Sequence, residues 1–343
     1  MRTVAGAGPR PLPVATIART AAMVLALAVA AGGRADAATF AYVANHQANN
    51  VSVVNVGTGT VATTIAVGAA PYGIAVAESR GRVYVSNHLG GSVSVINTDT
   101  QAVVATIPVG ARPAGIATSP DGTRAYVANF GDGTLSVIDA VGNTVLVTIP
   151  VGANPNGVAV RADGARVYVA NSGAGTVSVV DAATNEVTAT VTVGTGPAGV
   201  AVHPGQPRAY VVNTGSATLS VIDTNSNTVV ATVRTDGYPT GVAVAPGGNA
   251  VWVTNALDDT LLRIETAGNT VAQSVDVGPY PAGVALSPDG AVAYVAITEG
   301  DVLVPVNTAT GGVGTAIPVG DGPVSLGRFL FQRPDGVFAN GFE

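Results

Sequence analysis

From residue 39 onward the chain is a succession of apolar runs about four to seven residues long, rich in Val, Ile and Thr. Apolar and small polar positions alternate within them, the period-two pattern of strands that bury one face. Runs such as AGIAT, RAYVAN, TLSVID and VLVTIPV are separated by the turn formers SPDG and GDG. The pattern therefore predicts short strands joined by tight turns.

The pattern also recurs at a fixed step. Strand-ending asparagines stand at Asn45, Asn87, Asn129, Asn171, Asn213 and Asn255, each 42 residues after the last. A seventh step lands on Ile297, where the strand is kept and the asparagine lost. Pro71, Pro113, Pro155, Pro197, Pro239, Pro281 and Pro323 keep the same step without insertions. Four strands in roughly 40 residues is the period of a propeller blade, so the prediction is an all-β, seven-bladed β-propeller with four antiparallel strands per blade.

Strand order within a blade follows from residue type. Pro108, Pro150 and Pro318 interrupt fourth runs, and proline cannot donate to a ladder, which puts the fourth strand at the outer edge. First runs are small, as in Gly115-Ile116-Ala117 and Gly241-Val242-Ala243, which suits strands converging on an axis. The repeats begin with a second-type run (TFAYVAN) and end with a first-type run (GPVSLGRFLF). Residues 323–331 are thus expected to supply the inner strand of the blade begun by 39–67, closing the ring. One propeller domain spans 38–331, with a short tail at 332–343.

Composition narrows the setting. Hydrophobic residues make up 47% of the 343 and mean hydropathy is +0.42, yet no apolar run past residue 37 approaches the roughly 20 residues of a spanning helix. Aromatics at 5% are too few for the girdles of an outer-membrane barrel. Net charge is −6, and all 15 basic residues are arginines without a basic stripe, which argues against a nucleic-acid partner. Arg2, Arg10 and Arg19, the apolar AAMVLALAVAAGG and the Ala35-Asp36-Ala37 site read as a signal peptide over residues 1–37. The expectation is an exported monomer, periplasmic, at the cell surface or secreted, with no transmembrane segment after signal removal. Having no cysteine, it must hold by packing and hydrogen bonding alone.

The tetrapeptides YVAN, YVSN, YVVN and WVTN, with the VGxxPxGIAV and SPDGxRxYV signatures seen from Val109 to Val127, resemble the YVTN family of β-propellers. The likeness covers 39 to about 331. It implies a surface-layer or cell-surface protein, with relatives that resemble lactonases or lyases.

A residue repeated once per blade sits in the same environment each time, so the asparagines read as structural joints bonded to the following turn. Asp139, Asp181 and Asp223 read as caps on the turns after third strands, and the Asp-Gly pairs at Asp121, Asp163 and Asp289 as hairpin turns. Function belongs where the repeats disagree. The proline loops contribute Tyr72, Arg112, Asn154, Asn156, Tyr238 and Tyr280, and the turns after the asparagines contribute His46, His88, Phe130, Asp132, Asp258, Asp259, Glu299 and Asp301. All fall on one face, and tyrosine, arginine and asparagine are good recognition residues. His46 and His88 are equivalent on adjacent blades and offer a pair for acid–base or metal chemistry, whereas His203 belongs to the opposite face. Asp258, Asp259, Glu299 and Asp301 form an acidic group able to hold Ca²⁺ or another divalent metal, or simply a solvated rim. No motif calls for a cofactor. No GxSxG is present, and no nucleophile arrangement is visible. The reading is a non-catalytic binding or surface-structural module for an extracytoplasmic protein, a glycan such as a polysaccharide, or a small ligand. The alternative is a metal-assisted, lactonase-like hydrolase or lyase.

Overall fold

Runs that alternate Val and Ile with small polar residues pair wherever a tight turn reverses the chain, and here they do so seven times. The computed structural model describes residues 38–333; the proposed signal peptide and all but the first two residues of the proposed tail lie outside them. Seven four-stranded antiparallel sheets radiate from one axis. Blade 2 shows the scheme: inner strand Pro71–Ala77, second Arg82–Asn87, third Ser92–Asn97 and outer Ala102–Pro108. Blades 3 to 7 begin at Pro113, Pro155, Pro197, Pro239 and Pro281. No helix among the described residues is long and apolar enough to cross a membrane.

The small first runs are innermost, as the pattern implies. At the third residue of each inner strand, from Gly73 to Gly283, an added Cβ would stand inside 3.0 Å of a backbone carbonyl of the next blade. Gly73, for example, would put one 2.5 Å from Ala114 O. The strands therefore meet backbone to backbone and leave an axial cavity of about 30 Å³, room for about one water. Outward from the axis each blade buries its second and third strands against both neighbours. Tyr42, Tyr84, Tyr126, Tyr168, Tyr210, Trp252 and Tyr294 repeat in this layer, all at most 7% exposed.

The asparagines are joints, but with partners other than the expected turn. Oδ1 of Asn87, Asn129 and Asn171 accepts the N–H of Gly68, Gly110 and Gly152, in the loop that brings the chain over from the preceding blade. Nδ2 donates to third-strand hydroxyls, Ser92 and Ser94 in the case of Asn87. The side chain is fully buried and points back under the crossing loop, so the following turn is out of its reach. In blade 6 Leu262 stands where blades 1 to 5 have this serine, and Asn255 Nδ2 donates instead to Thr235 O. The third-strand caps behave as expected: Asp139, Asp181 and Asp223 accept N–H groups two and three residues on. So do the hairpin aspartates, with Asp121 accepting from Thr123 N.

Closure is also as inferred. Leu330–Gln332 pairs with Thr39–Ala41, Asn45 bridges Pro323, and Tyr42 N donates to Phe329 O. The strand runs on to Gln332, and the Arg333 guanidinium stacks on Phe40 at 5.5 Å while donating to Thr98 O. Blade 7 departs from the four full strands expected. Its outer strand is only Ile317–Pro318, because Pro305 inside the third strand has no N–H to offer.

Two outcomes test this architecture. Gly157→Ala drives a Cβ into Ala198 O and is expected to destabilise by about 1–3 kcal/mol or more. Gly205→Ala, with nothing within 4 Å, should be close to neutral; urea midpoints compare the two. The buried tyrosines set an alkaline limit. Desolvation holds Tyr42 up to about 12, with Gln101 opposing, and raises Tyr84, Tyr126, Tyr168, Tyr210 and Tyr294. Unfolded tyrosine ionises at 10.0, so above that pH the native state binds more protons than the unfolded one and stability falls. The urea midpoint should hold to about pH 10 and drop steeply towards about pH 12.

Candidate functional site

On the face that carries the asparagine turns, side chains from three positions per blade surround the mouth of the axis. The residue after each asparagine forms the first ring. His46 Nδ1 lies 3.2 Å from Pro71 O and His88 Nδ1 3.1 Å from Pro113 O, each on the next blade. Carbonyl oxygens only accept, so Nδ1 carries a proton in both rings, and in a neutral ring the lone pair is on Nε2. Thr214 and Thr298 make the same bond to Pro239 O and Pro323 O. Sequence reasoning singled out the two histidines as chemistry and passed over this role as blade ties. The signal was present: the 42-residue step aligns both histidines with the two threonines.

The second ring is the second residue of each inner strand: Tyr72, Ala114, Asn156, Ala198, Thr240, Ala282 and Val324. Tyr72 is the one large member, and its neighbours leave room for it to reach over the mouth. Its hydroxyl lies beside the Asn156 side chain, two blades away, and within electrostatic reach of Tyr238 and Tyr280. Burial raises the Tyr72 pKa above the ordinary phenol value, the Asn156 side chain opposing, so the hydroxyl stays neutral at physiological pH. Asn156 Oδ1 is buried without a hydrogen-bond partner.

The third ring, just before the prolines, carries backbone strain. Arg112, Asn154 and Tyr280 have φ of 50°, 51° and 56°, in the left-handed region that Gly196 and Gly322 occupy at the equivalent points. Asparagine tolerates this, but arginine and tyrosine pay about 1 kcal/mol each. Ala70 takes the same conformation at the equivalent point of blade 2, with a φ of 53°.

The structure gathers four aromatic groups into one arc over blades 1 to 3. Tyr72 packs edge-on to His46 at 6.0 Å and tilted on His88 at 5.6 Å, and His88 meets Phe130 at 6.2 Å. The His46 and His88 rings are 6.4 Å apart with planes at 49°, close to the seventh of a turn between neighbouring blades. Rings related in this way keep parallel roles and do not pinch a common point. Desolvation, helped by His46 and Arg112, lowers the His88 pKa, the bond to Pro113 O opposing, so His88 is neutral at physiological pH. Arg112 is exposed and makes no ion pair among the described residues.

The acidic candidates stand apart on the other side of the mouth. Asp259 Oδ1 accepts Tyr280 N at 3.0 Å and Asp301 Oδ1 accepts Gly322 N at 2.8 Å, both pinning loops. Asp132 does likewise for Ala111 N. Asp258 and Glu299 are exposed. Among the described residues no three His, Asp or Glu side chains come together to hold a metal ion. His203 is on the opposite face and serves a turn: Nδ1 accepts Gly205 N and Gln206 N while Nε2 donates to Gly248 O.

A family model described as "Lactonase, 7-bladed beta-propeller" matches residues 34–316. No curated protein matches the chain. Among solved structures, a putative 6-phosphogluconolactonase from Bacteroides uniformis superposes with a TM-score of 0.72 at 18% identity, covering 84% of this chain and 98% of that one. Hydrazine synthase from Kuenenia stuttgartiensis gives 0.69 at 23%, covering 74% and 88%. A protein of unknown function from Desulfotomaculum acetoxidans gives 0.71 at 17%, covering 84% and 99%. At these identities the likenesses speak for the fold.

Arg112→Gly should raise stability by about 0.5–1 kcal/mol through relief of the left-handed backbone, read as a higher melting temperature.

Proposed function

The chain belongs to the lactonase family of seven-bladed β-propellers, and from that premise we propose that it is an exported binding module whose asparagine-turn face takes a small ligand at the mouth of the axis. The observation that carries this reading is the aromatic arc of His46, Tyr72, His88 and Phe130 on a scaffold that is otherwise repetitive. Rings fixed by neighbour contacts and by bonds to proline carbonyls lose little entropy when a ligand covers them. Arg112, exposed and near His88, adds a charged group to orient a ligand. Export rests on the N-terminal charge and hydropathy pattern, and a cell-surface location on the YVTN-like repeats.

A second reading, ring opening of a lactone, is favoured by the family and by one atom. His88 Nε2 has its lone pair free, its tautomer fixed by Pro113 O and its charge suppressed by burial. These are the attributes of a general base that activates water. The metal-assisted version of this chemistry lacks a donor set that converges.

Hydrolysis of δ-gluconolactone by the purified protein and by His88→Ala separates the two. The binding reading expects no turnover that depends on His88. A loss of about a hundredfold or more on substitution, with the melting temperature kept, would install the hydrolase instead.

A further inference from the structure

On the face opposite the asparagine turns, three blades set an arginine and an aspartate opposite one another on their second and third strands: Arg124 and Asp139, Arg166 and Asp181, Arg208 and Asp223. In blades 4 and 5 they close into an ion pair. In blade 3 they do not. Arg124 donates across the junction to Ala182 O of blade 4, and Asp139 has no ion pair among the described residues. Ala182 stands where blades 5 and 6 have Thr224 and Thr266, so a smaller side chain leaves space at this junction. Between blades 3 and 4 lies a cavity of about 410 Å³, within the range of small-molecule sites, with Arg124 on its wall.

The wall carries both signs of charge in fixed places. Asp121 accepts Ser119 Oγ at 2.5 Å, Thr123 N at 3.0 Å and Thr123 Oγ1 at 2.9 Å, which hold its carboxyl down to about pKa 2. Asp163 is clasped by Arg161, with Nε at 2.8 Å and Nη2 at 2.6 Å. Hydrogen-bonding capacity remains on both sides. Arg124 uses one of its five N–H donors on Ala182 O, while Asp121 Oδ2 accepts Thr123 Oγ1 and Asp163 Oδ2 accepts Arg161, each with a lone pair to spare. An anion here would face Asp121 and Asp163, a cation would face Arg124 and the arginine that Asp163 holds, and an apolar ligand would strip water from all of them. A hydroxyl answers both signs, because it accepts from a guanidinium and donates to a carboxylate at once. Pro120, Ala165, Ala182 and Ala183 add small apolar surfaces between these groups, which suit the C–H faces of a ring. We propose that this cavity is a sugar site, taking one neutral pyranose unit, free or within a polysaccharide, with its hydroxyls on Arg124, Asp121 and Asp163. The site is separate from the aromatic arc and does not rest on it.

Titration calorimetry of the purified protein with methyl glucoside, methyl galactoside, dextran and galactan tests this, with the corresponding uronates and amino sugars as charged counterparts. At least one neutral sugar should bind, and its charged counterparts more weakly. Binding of the glycoside alone points to a free sugar, and tighter binding of the polymer to a polysaccharide. Ala182→Thr, which installs the residue that blades 5 and 6 carry, should narrow the cavity and remove binding. Arg124→Gln should weaken it by about tenfold or more through loss of a charged donor. Unchanged melting temperatures guard against unfolding. Binding that either variant leaves as it was, a uronate or amino sugar held more tightly than the neutral ring, or silence from every sugar overturns the inference.

Discussion

Seven inner strands must share one axis, and everything else in this molecule answers to that crowding. With a carbonyl of the following blade sitting where a Cβ would be, the third position of the inner strand is glycine in blades 2 to 7, and Ser325 takes it in blade 1. Backbone contact at the centre then sets how far the blades splay and how much space the outer layers have to fill. Tyrosine or tryptophan in every second strand fills the wider part of each wedge, and valine and isoleucine fill the rest. Core packing is intolerant of even small volume changes, which accounts for a repeat kept to 42 residues without an insertion.

Neighbouring blades are then tied by side chains that work on backbone. Asn87, Asn129 and Asn171 reach the crossing loop ahead of them, and His46, His88, Thr214 and Thr298 reach the proline carbonyl of the following blade. Such bonds are individually worth about 1 kcal/mol but leave few backbone groups stranded where the chain crosses between blades. Where the partner residue changes, the tie changes with it, as Asn255 turning to Thr235 O shows. Histidines at this position therefore do two things. They fasten blades through Nδ1 and present a ring, with Nε2 free, to the mouth.

Most of the fold could be read before the structure because it follows from period and residue type. The 42-residue step, edge prolines and small inner runs were enough for blade number, strand order and the closing strand. The asparagine partners were not readable, since they lie in a loop 19 residues earlier in the chain and depend on how the blades nest. Nor was the shortened outer strand of blade 7, although Pro305 was the clue. Of the site, the face and its variable residues were legible as breaks in the repeat. What was not legible is reach. Tyr72 is long enough to span to Asn156, so residues 84 positions apart become neighbours. The acidic residues, by contrast, look like one group along the chain but are parted by their work on separate loops.

Near-sevenfold symmetry makes a poor binding site for a small molecule, because equivalent groups point in equivalent directions and cannot converge off the axis. Specificity must come from breaking the repeat, and the chain does so unevenly. Blades 1 to 3 carry imidazoles, a phenyl ring and an arginine at the mouth, blades 6 and 7 carry tyrosines and carboxylates, and blade 5 keeps Gly196, Ala198 and Thr214. Tyr72 lies between these arcs because the small residues at its equivalent positions let it. One large residue among small ones turns a symmetric ring into a mouth with a direction, and a ligand with two unlike ends is what such a mouth can tell apart.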